Sequence, residues 1–310
     1  MAPPLLLFVL FFLSSTALLS ESRLSLDYYS KTCPSFNRIM QETITNKQIN
    51  SPTTAAGTLR LLFHDCLPNG CDASILISST PFNKAERDAD INLSLPGAKT
   101  ALELSCPNTV SCSDILAVAA RDLIVMLGGP YYNVYLGRKD SRSSQASSIE
   151  GKLPKPNMKM SQIIDLFAAS GFNVQETVAL SGAHTIGFSH CKEFSSNISN
   201  DTHYNPRFAQ ALKQACSGYP KNPTLSVFND IMSPNKFDNL YYQNLPKGLG
   251  LLESDHALYN DPRTKPFVDL YAKDQNKFFR DFARAMQKLS VYRIKTGRRG
   301  EIRRRCDAAN

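Results

Sequence analysis

Apart from one apolar stretch at its N-terminus, the chain has no hydrophobic run long enough to cross a membrane, so a multi-pass membrane protein is excluded. It contains no CxxC pair, and its five histidines do not fall at zinc-finger spacing, which argues against a structural zinc site. It has no internal repeat and no low-complexity linker, so solenoid, collagen and coiled-coil classes are excluded. What is present points to a folded domain. Of 310 residues 42% are hydrophobic and 20% charged, enough apolar material for a sizeable core. The net charge is +8.

The single apolar run, residues 5–13, is followed by the small residues Ser14, Ser15, Thr16 and Ala17, and charge first appears at Glu21 and Arg23. This pattern reads as a secretory signal peptide over residues 1–22, with cleavage between residues 20 and 24. Residues 23–310 then form one domain. In an oxidising compartment the eight cysteines (Cys33, Cys66, Cys71, Cys106, Cys112, Cys191, Cys216 and Cys306) read as four disulfides. Spacing leaves most pairings open, although Cys66 and Cys71 suggest a small closed loop. Asn197 and Asn200 open glycosylation sequons in a polar stretch, in agreement with secretion.

The coarse pattern is mainly α. Helices are expected over 54–65, over 112–127 up to Gly128-Gly129-Pro130, from Ser161 to Gly171, and after Asn173, where Glu176 completes a capping box. Phe278, Phe282 and Met286, four apart, predict one amphipathic helix over 266–290. The best strand candidate is 131–136, and the proline-rich stretch 153–157 reads as a loop.

Four constellations can carry chemistry. Arg60 and His64 share one helix face, so a fixed cation lies beside an imidazole that can take a proton. A surface Arg next to a half-buried His gives the same spacing. Asp65, Pro68, Gly70, Asp72 and Ser74 offer carboxylates, a hydroxyl and carbonyls on one loop, the hard oxygens of which calcium takes about six to eight. A solvated acidic turn fits equally. His184, among small and apolar neighbours, suits an axial ligand facing a bulky apolar cofactor, or a satisfied core histidine. Asp230, Ser233 and Asp238 make a second calcium-like loop, or a capping turn.

Taken together and in this order, these motifs resemble the plant secretory (class III) haem peroxidases over the whole mature length. The matching stretches are 60–74, 110–122, 137–141, 153–157, 180–191, 233–242 and 250–255. The resemblance implies a single haem-peroxidase domain whose distal and proximal helical halves enclose one haem b. It implies two calcium ions, and hydrogen peroxide and small phenolic donors as substrates. Arg60 and His64 then match the distal pair, with Phe63 over the haem and Asn92 orienting His64. His184 matches the iron ligand, and Asp255 the carboxylate that accepts its other ring N–H. One calcium falls to Asp65, Pro68, Gly70, Asp72 and Ser74, with Glu86 in the same network. The other falls to Thr185, Asp230, Ser233 and Asp238, with the Lys236 carbonyl. Pro154 matches the donor-access position. The implied pairing is Cys33–Cys106, Cys66–Cys71, Cys112–Cys306 and Cys191–Cys216.

Three positions depart from that pattern. The stretch from Asn92 to Cys106 is short by roughly two helical turns near Gly97. Asn229 stands where an apolar residue is usual, and the usual single Trp is replaced near Tyr131 and Tyr132. The missing Trp argues against storing an oxidising equivalent on a proximal tryptophan. The short stretch keeps a rival reading open, a basic secreted wall-binding protein with impaired haem binding or activity. A phospholipase or nuclease would need a dyad that is not found. The arginines 298, 299, 303, 304 and 305 form a basic tail tethered by Cys306 and do not indicate nucleic-acid binding. The expected location is the cell wall or apoplast, where the positive charge favours acidic pectin, and the expected form is a monomer.

Overall fold

The computed structural model describes residues 24–81, 83–86, 96–199 and 202–310. Among them are eleven α-helices and one two-stranded sheet. The first four helices are α1 (Phe36–Asn50), α2 (Thr54–Asn69), α3 (Pro96–Ser105) and α4 (Cys112–Met126). Then come α5 (Met160–Ala169), α6 (Val174–Ser181) and α7 (Pro206–Ala215). The last four are α8 (Leu240–Asn244), α9 (Glu253–Asn260), α10 (Lys265–Lys273) and α11 (Gln275–Ser290). The mainly α class is as expected. None of the helices is long and apolar enough to cross a membrane, among the described residues.

Local chemistry sets several boundaries. Asn173 Oδ1 accepts from the Glu176 N–H at 2.8 Å, and the Glu176 carboxylate accepts from the Asn173 N–H at 2.9 Å, so the predicted capping box opens α6. Ser111 caps α4 through the Asp114 N–H. The single helix expected over 266–290 is two helices. Asp274 takes an extended conformation, and its side chain accepts from the Lys277 N–H, which ends α10 and caps α11 at the same residue.

The strand expected over 131–136 is also corrected. Tyr132, Val134 and Leu136 point into the core and Tyr131 and Asn133 outward, so the alternation is real. Only Leu136 finds a ladder partner, Ser25, while Tyr132 and Val134 join the hydrophobic core without pairing. The strands that do form are β1 (Phe188–His190) and β2 (Ser226–Phe228), antiparallel, with Ser189 opposite Val227.

The core is built by α2 against α4, α1 against α3 and α4, α11 against α6, and α10 against α8. A second, smaller cluster surrounds Cys191–Cys216 with Phe194, Tyr204, Phe208 and Leu251. All four implied disulfides are present: Cys33–Cys106, Cys66–Cys71, Cys112–Cys306 and Cys191–Cys216. The basic tail is not uniformly a surface. Arg303 is fully buried and its N–H donates to Asp140, while Arg298, Arg299, Arg304 and Arg305 are exposed.

Candidate active site

Helix α2 carries Arg60, Phe63 and His64 within five residues, on the turns that follow its close approach to the segment after His184. A Cβ placed on Gly187, whose φ is +87°, would come within 2.7 Å of the Ala56 side chain, so no larger residue fits there. The contact brings α2 and the His184 turn together. Arg60 is exposed and His64 half-buried, with the Phe63 ring 6.1 Å from His64 and 5.7 Å from Phe167. Burial, helped by the Arg60 charge, pulls the His64 pKa down to about 3, so its imidazole is neutral near pH 7.

His184 lies in the short turn Gly182–Thr185 directly after α6. Its Nδ1 is 2.9 Å from Asp255 Oδ1, at the start of α9. The same carboxylate accepts from the Tyr241 hydroxyl at 2.8 Å and from the Leu251 and Leu252 N–H groups. Burial alone would raise the Asp255 pKa, but the His184 charge interaction and these hydrogen bonds outweigh it and hold the carboxyl below its usual range. An ionised acceptor fixes the proton on Nδ1 and leaves Nε2 as the lone-pair nitrogen. The His184 side chain is 37% exposed while Asp255 is 1% exposed, so the imidazole reaches an opening and its partner does not.

The first oxygen-rich loop closes on itself. Asp65 accepts from the Asp72 and Ala73 N–H groups, and the Ser74 hydroxyl donates to Glu86 at 2.8 Å. Burial and the neighbouring Asp72 and Glu86 charges push the Asp65 pKa well up. Pro68 lies in the last turn of α2, and Gly70 caps the helix at φ +109°. Lys295 Nζ contacts Asp72 at 2.5 Å. In the second loop the Ser233 hydroxyl lies 3.2 Å from Asp230 and 3.0 Å from Asp238, and the Thr185 hydroxyl accepts from the Asp238 N–H. Among the described residues, no three His, Cys, Asp or Glu side chains form a metal cluster.

Pro154 is half-buried in its loop, whose Pro156 carbonyl accepts from the Ser254 N–H beside Asp255. Asn197 is half-buried and donates to Glu253. Asn92 and Asn200, like residues 1–22, lie outside the described residues.

The family described as peroxidase matches residues 39–274. The chain belongs to the plant class III peroxidases. Peroxidase 31 of Arabidopsis thaliana is 67% identical over 313 residues, covering 98% of each chain. Peroxidase 63 of the same plant is 66% identical, over 96% of this chain and 93% of its own, and Peroxidase 6 is 55% identical over 97% of each. This peroxidase therefore reduces hydrogen peroxide at the expense of an oxidisable donor, and the reading as a binding protein without activity is not favoured. Family membership implies haem. The arrangement fits it: an open imidazole whose rear nitrogen is held by a buried carboxylate, and an Arg and a neutral His on a helix that closely approaches the turn after His184.

The 313 positions aligned with Peroxidase 31 hold about 304 of the 310 residues, 98%, so about nine positions of the alignment have no counterpart in this peroxidase. Helix α3 nevertheless packs on α1, and Cys106 reaches Cys33. Asn229 holds the turn after His184: its side chain donates to the Ile186 carbonyl and accepts from Ser189. Tyr132, near the usual Trp position, is buried.

Sequence reasoning missed the Tyr241 hydroxyl on Asp255 and the Lys295 ammonium on Asp72. Nothing local signals either, since each pair joins separate elements.

Proposed function

We propose that this peroxidase is a secreted haem b enzyme that uses hydrogen peroxide for one-electron oxidation of small phenolic donors. The observation that carries the reading is the buried Asp255 carboxylate behind His184, with Tyr241 on the same oxygen. His184 Nε2 would hold the iron, and the bound haem supplies the two electrons that cleave the O–O bond. The neutral His64 takes a proton from one peroxide oxygen and gives it to the other, so that water leaves. Arg60 stabilises the negative charge on the departing oxygen. Asn92 would keep His64 in the basic tautomer. Asp255 keeps the proton on Nδ1 and raises the electron density on Nε2. Pro154, next to the Asp255 helix, would line the path of the phenol.

Two calcium ions would complete the oxygen-rich loops. Asp65, Asp72, Ser74 and the Pro68 and Gly70 carbonyls, with Glu86 behind, would hold one, and Thr185, Asp230, Ser233 and Asp238 the other. The buried like charges around Asp65 support this, because a cation would relieve them. Residues 1–22 would direct the chain to the secretory path and the cell wall. There the exposed arginines near the C-terminus would favour acidic pectin. Asn197 and Asn200 would accept glycans, and the enzyme would act as a monomer. The test is the absorption spectrum and peroxide-dependent guaiacol oxidation of purified protein. A Soret band with turnover is expected, and folded protein that takes up haem without turnover would overturn the reading.

A further inference from the structure

A run of aromatic rings in contact leads from His184 into the core. The His184 ring lies 5.9 Å from Tyr241, Tyr241 lies 5.1 Å from Tyr242, and Tyr242 lies 5.2 Å from Tyr271. All three tyrosines are buried. Their hydroxyls differ in what accepts the proton. Tyr241 donates to Asp255, which already serves His184. Tyr242 donates to the Val178 carbonyl at 2.7 Å. Tyr271 donates to Asp281 Oδ2 at 2.9 Å, and Gln175 and Lys277 hold the same carboxylate.

A phenol that loses an electron becomes a strong acid, and it keeps the hole as a neutral radical only if its proton has somewhere to go. A peptide carbonyl is too weak a base, so Tyr242 can pass charge but not retain it. A carboxylate can take the proton. Asp281 is the one such acceptor on this run that does not also support His184. Lys277, partly exposed, connects it to the surface.

Resting on the haem reading of His184, we propose that Tyr271, with Asp281 as its proton acceptor, is a resting place for an oxidising equivalent when no donor is bound. One electron passes from Tyr271 through Tyr242 and Tyr241 to the peroxide-oxidised pocket. The Tyr271 O–H bond breaks and its proton moves to Asp281 Oδ2. Hydrogen peroxide is the oxidant and the phenol the reductant. A later donor returns one electron, and Asp281 returns the proton. The device spares the pocket from its own oxidant in a chain that has no tryptophan to do so.

The test is electron paramagnetic resonance of the haem-loaded enzyme, frozen after mixing with peroxide in the absence of donor. A tyrosyl signal with a deuterium-exchangeable coupling is expected. Tyr271→Phe keeps the ring and should lose the signal, inactivate faster in peroxide without donor, and retain wild-type guaiacol turnover. Asp281→Asn keeps an acceptor oxygen but not a base, and should lose the signal as well. A signal of unchanged yield in Tyr271→Phe, or none in a wild-type enzyme that turns over, overturns this proposal alone. A folded wild-type protein that takes up haem without guaiacol turnover overturns the haem reading, and this one with it.

Discussion

Tyr241 and His184 share one acceptor: both donate to Oδ1 of Asp255, at 2.8 and 2.9 Å. The two donors have opposite consequences for the imidazole. Asp255 pulls the Nδ1 proton and makes His184 more electron-rich, whereas Tyr241 draws charge out of the carboxylate and weakens that pull. Asp255→Asn should therefore raise the iron reduction potential and lower peroxidase activity by about 10–100-fold. Tyr241→Phe should move the potential the other way. Potentiometric titration of the two variants decides it, and shifts of the same sign would show that the shared acceptor does not control the iron.

His64 carries the second prediction. Its pKa in the folded protein is about 3, depressed first by burial and then by Arg60. The base is then available throughout the neutral range, and the rate of reaction with peroxide should stay flat from neutrality down to about pH 4, falling only as pH approaches 3. His64→Leu should lower that rate by about 10²–10⁴-fold at pH 7. Stopped-flow mixing with peroxide across pH measures both. The same depression has a stability sign. The unfolded chain binds the proton below about pH 6.5, while the folded chain does not until about pH 3. The stability associated with neutral His64 is therefore lost as pH falls through that window.

What could be read in the sequence was whatever lies within a helical turn or a short loop. Arg60 with His64, and Asn173 with Glu176, are near neighbours, and the structure places both pairs as their spacing demands. The eight cysteines announced four bridges, but only Cys66 and Cys71 were close enough to suggest each other. The remaining pairs, up to 194 residues apart, came from family resemblance. His184 and Asp255 are 71 residues apart, and neither predicts the other physically. Both element errors arise where a further constraint overrides local periodicity. Asp274 and the stretch 131–136 have the right periodicity, but a side-chain cap in one case and a missing partner strand in the other override it.

The calcium assignment is testable by composition. Asp65, Asp72 and Glu86 are all buried, the Asp72 and Glu86 charges act on Asp65, and among the described residues Lys295 pairs with Asp72. Elemental analysis of the purified enzyme should give two calcium ions per chain, and Asp72→Asn or Asp230→Asn should each remove one. A ligand that binds only the folded state stabilises it by about 3–4 kcal/mol at about 100–1,000 times its Kd. Chelation should accordingly lower the melting temperature of the wild type and have less effect on each variant. A calcium-free, undisturbed enzyme would overturn the calcium assignment.

Asp114 and Arg138 form an ion pair, at 2.8 Å, in which both side chains are fully buried. Asp114 also accepts from the Tyr29 hydroxyl and the Gly137 N–H, and Arg138 donates to the Ser290 carbonyl at the end of α11. The pair thus joins the N-terminal segment, α4 and the last helix. Removing one partner leaves the other charge buried without compensation, which costs about 3–5 kcal/mol. Asp114→Ala should lose that much in urea unfolding of the haem-loaded enzyme. The double variant Asp114→Leu with Arg138→Met removes both charges and replaces them by apolar side chains, so it should lose less than the single one. If both lose equally, the hydrogen bonds to Tyr29 and Ser290 hold these segments together, and the ion pair itself adds nothing.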